Sequence, residues 1–533
     1  MALAEIGRDG ARVLAMLGSP DRARDVVDAL LVDRGVHSEF PPAVDAEAAD
    51  AASAPAAAEG RRVDLTDLPT FTVDPASARD FDDAVSAERT EEGFRIWVHI
   101  ADVAEHVRPG TALDLEAYRR ATSTYVPGAV APMLPASLSE GACSLSPGVP
   151  RNAVTAELEL SSEGEPIRER FHRTLIRSDA RLDYDELDKI FASRAKAPEP
   201  IQGPLEVARA AAAALRARRP ESAIGLSTTE PEFEFSGADV VGAHRLHQTE
   251  AHQLIEQLMV TCNERVATLL ERRRIPSLYR VHEEPEPARV GFLFEQLAAL
   301  DLPTPALPKQ ITATEAGRLA GDASRLVTRE GKRRGHGQDA YSSLVLRSLQ
   351  RAVYSERNLG HAGLGSPAYA HFTSPIRRYP DLIAHRALLS ALDGQEPVPD
   401  GREMKSAALH CSEREREASS LERDADDVCA AFLLERELYE AGWDHEFEGE
   451  VSGVIAAAAF VSFGGKLGDV YEGFLPARLL GGERFDLDET ETALVGRRSG
   501  RRLRFGDPIQ VKVEAIEKPR GRVDLAPAAA LEA

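Results

Sequence analysis

The residues best suited to chemistry lie in one stretch, "TVDPASARDFDDAV" (72–85). It gathers Asp74, Asp80, Asp82 and Asp83 among the apolar residues Phe71, Val73, Phe81 and Val85. Like charges at close range raise one another's pKa, so four carboxylates held together require a counter-charge. A hard divalent cation supplies one. Mg²⁺ takes oxygen ligands in octahedral geometry, usually one or two carboxylates with waters and substrate phosphates. A pair of such ions suits in-line displacement at a phosphodiester, because it stabilises the attacking and the leaving oxygen together. A calcium loop does not fit. Read from Asp80, the fifth place holds Ala84 and the turn glycine is replaced by Val85. Spacing alone leaves a metal site and a solvated acidic loop both open.

Composition narrows what such a site could act on. The formal net charge of −23 counts against a passive, whole-surface nucleic-acid binder. A polyanionic partner would have to meet local basic runs, of which there are four: "ERRR" (271–274), "GKRRGHG" (331–337), "IRRY" (376–379) and "RRSGRRLR" (497–504). Taken singly, most such runs are solvated faces. Cys143, Cys262, Cys411 and Cys429 form no CxxC pair, which argues against zinc or a disulfide framework and for a reducing compartment. No leader and no long charge-free apolar run is visible, so the expectation is a cytoplasmic protein without a membrane span. His244, His247 and His252 lack the i, i+4 pair with an intervening Glu and have no third ligand, so they read as surface or structural residues.

The elements that must position the carboxylates follow from periodicity. "FRIWVHIADV" (94–103), "AVTAELEL" (153–160) and "IRERFHRTLI" (167–176) alternate as strands, the last two across the turn "SEGEP". Residues 1–40 read as short helices, "DGARVLAML" and then "PDRARDVVDALLVDRG", forming either a helix-turn-helix-like module or a helical cap. Residues 41–60 read as a linker, and 195–220 as carrying an exposed helix. Helical spacing dominates from 244, ending in a long polar helix at 402–440 with a weak coiled-coil seam. The last eighty or so residues turn to short strands punctuated by Gly and Pro, the pattern of a Greek-key barrel of the OB type. The chain is long enough for about two to four domains.

"TVDPASARDFDDAV" resembles the signature of the ribonuclease II/R (RNB) family of 3′-to-5′ exoribonucleases. "VHIADVAEHV" (98–107), "RATSTYVPGAVAPMLPASLSEGACSL" (120–145), "LYRVHE" (278–283) and "YAHFTSPIRRYPDLIAHR" (369–386) resemble further blocks of that family in the same order. The resemblance covers roughly 61–440. It implies a large mixed α/β catalytic domain (61–442); with the residue patterns on either side, the expectation is an α+β protein with a small N-terminal helical module (1–40), a linker (41–60) and a C-terminal OB-fold RNA-binding barrel (443–533).

The implied activity is Mg²⁺-dependent hydrolysis of RNA from its 3′ end, releasing 5′-nucleoside monophosphates, with one or two ions and Mn²⁺ able to substitute. Asp74, Asp80 and Asp83 match metal-holding positions. Asp82 matches the indispensable aspartate, which either binds metal or orients the attacking water. Arg377 matches the catalytic arginine, whose fork suits charge building on phosphate oxygens. Arg378 is a secondary phosphate contact. Tyr125 matches the tyrosine that packs near the 3′-terminal nucleotide, and Glu422 a glutamate that contacts RNA.

In the barrel, which resembles a module repeated in a ribosomal small-subunit protein, Phe460, Phe463 and Tyr471 are expected to stack on single-stranded RNA. The five arginines in 497–504 are expected to meet backbone phosphates. The expected partner is RNA with a free 3′ end, mainly single-stranded and also structured, bound by a monomer. Two departures stand out. Two cold-shock barrels precede the catalytic block in typical members, and about sixty residues stand there here, which predicts weaker single-strand selectivity. A stacking Phe of some members falls at Pro276, so Tyr125 is expected to act alone.

Overall fold

A computed structural model of the chain describes residues 1–7, 10–56, 62–220, 231–393, 397–465 and 468–529. After a short N-terminal strand pair come two helices, α1 (Ala23–Asp33) and α2 (Pro42–Ala52). A seven-stranded sheet follows: β1 (Val63–Asp64), β2 (Phe71–Asp74), β3 (Asp83–Arg89), β4 (Gly93–Ala101), β5 (Pro150–Ser161), β6 (Pro166–Arg177) and β7 (Ala180–Asp183). The strand order is β7-β2-β3-β4-β5-β6-β1, antiparallel from β2 to β6 and parallel at both edges. Strand β2 stops at Asp74 because Pro75 has no N–H to continue a ladder. The strand β4 is buried along both alternations except at Arg95, so its side chains do not divide into a wet and a dry face.

Helices α3 (Tyr184–Phe191), α4 (Gln202–Ala217) and α5 (Glu250–Arg273) follow the sheet. The α4 helix was expected to be exposed. Instead it buries Leu205, Ala208, Ala211, Ala212 and Leu215, a stripe at helical spacing, in the core that the sheet shares. Helix α6 (Tyr379–Asp393) carries the end of the "TSPIRRYPD" motif, and α7 (Met404–Ala441) runs on toward the barrel.

The C-terminal strands β8 (Glu446–Ile455), β9 (Ala458–Gly465), β10 (Gly468–Pro476), β11 (Pro508–Glu517) and β12 (Arg522–Pro527) close a barrel in the order β8-β9-β10-β12-β11. Between β10 and β11 the chain inserts a small three-stranded sheet, which the sequence pattern did not separate from the barrel. Leu421, Ala425, Val428, Leu433, Leu434 and Leu438 of α7 share one apolar core with the barrel's Phe447, Val461 and Leu525. The apolar side of α7 is therefore covered within the chain, with no need for a coiled-coil partner.

The N-terminal expectations need correcting. Ala2–Gly7 and Gly10–Met16 pair as antiparallel strands where a helix over "DGARVLAML" was expected. The Asp9-Gly10 dipeptide is itself a hairpin signal, although Asp9 lies outside the described residues. Within the expected linker, α2 is a true helix with Pro42 in its first turn, and Val44 and Ala48 enter the sheet-side core. Helix α1 places Ala23, Val26, Val27 and Leu31 in the barrel-side core. Two successive short helices thus tie the two cores together.

Candidate active site

The antiparallel turn from β2 to β3 brings Asp74 and Asp83 to one end of the sheet, and the connecting loop carries Asp80 and Asp82. That loop is held from several sides. Arg181 Nη2 donates to the carbonyls of Pro75 and Ala76, both at 2.9 Å, and its guanidinium lies over the Phe81 ring. Ser144 Oγ donates to Arg79 O (2.9 Å) and accepts from Phe81 N (3.1 Å). Burial, before anything else, pushes the carboxyls of Asp74, Asp82 and Asp83 above their ordinary range. For Asp74 the neighbouring Asp83 adds to it. For Asp82 and Asp83 the Arg377 guanidinium opposes it.

The arginine arrives from the loop before α6. Asp82 Oδ1 accepts from the Ile376 N–H at 2.8 Å, and Arg377 Nε lies 3.8 Å from Asp82 Oδ2. Asp82 is buried, whereas the Arg377 side chain keeps 43% of its exposure and reaches the cleft. On the other wall stands Tyr125, 38% exposed, in the short hairpin Thr124–Val126 and Ala129–Ala131. Its hydroxyl donates to Asp80 Oδ2 (3.1 Å), and its backbone N–H donates to Glu422 Oε1 of α7 (2.9 Å). Residues some three hundred positions apart in the chain thus meet in one cleft.

A divalent cation fits this donor set. Asp74 Oδ2 and Asp82 Oδ2 are buried with no hydrogen-bond partner in the chain, and such orphaned oxygens are costly unless something meets them. Among the described residues, no three Asp, Glu, His or Cys side chains are gathered closely enough to hold an ion alone.

An RNB domain model matches residues 62–394. The chain belongs to the RNB family. Ribonuclease R of Escherichia coli (strain K12) is 34% identical to it over 535 residues, covering 96% of this chain and 63% of that protein. The chain therefore spans about three-fifths of that relative's length. Among solved structures, Mycoplasma genitalium RNase R in complex with ribose methylated single-stranded RNA superposes with a TM-score of 0.88 at 28% identity, over 97% of this chain and 80% of that one. The same protein in complex with double-stranded RNA gives 0.81 at 27% identity, over 97% and 85%.

Against this RNB frame, several expected site residues stand elsewhere. Arg378, expected at a phosphate, forms a bidentate pair with the buried Asp381, both bonds at 2.8 Å. Phe463 and Tyr471, expected to stack on RNA, are 0% and 2% exposed inside the barrel. The strand alternation that places Phe460 partly in the open turns Phe463 inward. Tyr471 donates its hydroxyl to Glu437 Oε2 (3.1 Å) within the α7–barrel contact. Of the five arginines in 497–504, Arg497 pairs with Asp486 and Arg504 with Asp301, while Arg498 donates to Gly482 O.

Sequence reasoning did not single out Tyr184, whose ring stacks at 3.9 Å on that of His252, a residue read there as surface or structural. Burial, and after it Asp83 and Asp74, push the Tyr184 hydroxyl up. It also missed Arg181, which lies within β7, and Ser144, in the loop before β5. Pro276 stands at a shallow surface cavity of about 440 Å³ with Arg274, Ile275 and Tyr279.

Proposed function

We propose that the chain is a hydrolytic 3′-to-5′ exoribonuclease that releases 5′-nucleoside monophosphates. The observation that carries this reading is the approach of Arg377 to within 3.8 Å of Asp82, at the rim of a cleft holding three further aspartates. Asp74, Asp80 and Asp83 would hold Mg²⁺, with Asp82 adjoining. When bound, the ion neutralises the scissile phosphate and favours in-line displacement. Arg377 presents a fork to the non-bridging phosphate oxygens, where charge builds in the transition state. Tyr125 offers an aromatic face to the terminal base, a contact that tolerates any base. Asp82 anchors the Ile376 amide and so helps aim the arginine. This gives it an orienting part beside any metal contact.

The substrate in this reading is RNA with a free 3′ end, mainly single-stranded and also structured. It is supported by the RNA that the two solved RNase R complexes hold. The protein would act as a monomer in the cytoplasm. No helix among the described residues is long and apolar enough to cross a membrane. A 5′-labelled RNA ladder with and without EDTA tests the proposal. Stepwise shortening from the 3′ end that EDTA abolishes is expected. Products that grow from internal cuts, or turnover indifferent to EDTA, would overturn it.

A further inference from the structure

Arg377 and Arg378 are neighbours with opposite fates. Arg377 faces the cleft, while Arg378 is turned inward against Asp381, whose side chain is wholly buried. Every oxygen of Asp381 is committed to the arginine loop. Its Oδ1 accepts from the Ser374 N–H (2.8 Å) and from Arg378 Nη2 (2.8 Å), and its Oδ2 accepts from Arg378 Nε (2.8 Å).

The segment just before the loop is pinned as well. Asn263 Oδ1 accepts from the Phe372 N–H (2.9 Å), and Asn263 Nδ2 donates to Tyr369 OH (3.1 Å). From the other side, Arg377 O accepts from the Ser123 N–H (2.9 Å) and from Thr122 Oγ1 (3.3 Å). Two adjacent arginines could in principle exchange places by a small backbone twist. A largely enclosed guanidinium matched to a buried carboxylate opposes it, because the Asp381 charge would be left unpaired inside.

We propose that the Arg378–Asp381 pair is a positioning element for the reaction. It fixes which of the two arginines enters the cleft and holds Arg377 at its working distance from Asp82. Arg378 then acts only through Arg377 and touches no substrate. This rests on the nuclease reading above, and the test separates the two.

Lysine keeps the charge of Arg378 but lacks the fork. Arg378→Lys should lower kcat on a short 5′-labelled RNA about a hundredfold, the cost of a misplaced catalytic group. KM, and Kd for the same RNA in EDTA, should stay within about twofold. In an Arg377→Ala background the same change should cost less than about threefold further, because the group it positions is gone. Asp381→Asn, which keeps an acceptor for the Ser374 amide, provides a second route if Arg378→Lys fails to fold. A wild-type chain that leaves RNA intact overturns the nuclease reading and this proposal together. Wild-type turnover with Arg378→Lys equally active overturns the proposal alone. So do equal losses in both backgrounds, or a kcat loss matched by lost RNA affinity and a lower unfolding temperature.

Discussion

Asp82 links the carboxylate loop and the arginine loop, since one of its oxygens holds the Ile376 amide and the other faces Arg377. Asp82→Asn keeps an acceptor for that amide but removes the charge that attracts the guanidinium. Turnover is expected to fall by at least about a hundredfold, as when a preorganised transition-state contact is lost, while RNA affinity measured in EDTA is retained. Full turnover in this variant would remove Asp82 from the chemistry. Tyr125→Ala should weaken binding of a short RNA by about 1–3 kcal/mol, the usual worth of one base–aromatic stack. Tyr125→Phe, which loses only the bond to Asp80, should bind nearly as the wild type. Equal losses in the two variants would mean that the hydroxyl, not the ring, is what matters. The sequence singled these residues out, because each sits in a long block with few alternatives, and the fold brings them together. Their pairings could not be read from it. Nothing in "IRRY" says which arginine finds a buried carboxylate, since that depends on how the loop before α6 turns.

At the scale of elements, alternation located the strands and the OB-type barrel, and helical spacing located α5 and α7. It failed where a short segment carries two signals. The first sixteen residues satisfy weak helical spacing and weak alternation alike, and their pairing with each other as antiparallel strands decides between them. The barrel aromatics failed for a related reason. Period-two alternation says that neighbours face opposite ways, but not which way is in. The close seat of the barrel on α7 shows at Gly521, whose φ of +62° lies in the left-handed region and whose missing Cβ would sit 2.5 Å from the Asp427 backbone. Gly521→Ala should therefore destabilise the chain by about 2 kcal/mol or more, seen as a lower midpoint in thermal unfolding. An unchanged midpoint would mean that the contact yields without strain.

Over the whole molecule, buried histidines tie stability to acidity. His99 is fully buried between Ser86 Oγ (3.1 Å) and Thr155 Oγ1 (2.8 Å), and burial holds its pKa down to about 3. The unfolded chain binds a proton there as pH falls through about 6.5, while the folded chain does not until far lower. The folded state therefore loses ground in acid on account of His99. The raised aspartates of the cleft act in the opposite sense, gaining protons in the folded state first. A comparison of variants isolates the histidine. The stability of the wild type relative to His99→Gln should shrink by about 2 kcal/mol between about pH 7.5 and about pH 5 in urea titrations. A constant difference would show that His99 keeps its ordinary pKa.

The long helix α7 makes a mechanical link. Its Glu422 grips the backbone of Tyr125, and its Glu437 accepts the Tyr471 hydroxyl inside the barrel contact. Those fifteen positions span about 22 Å along a stiff axis. The helix is a lever with the tyrosine on one arm and the barrel on the other. The position of the barrel and the position of the aromatic face beside the aspartates are thus fixed by one helix, although the two do not touch.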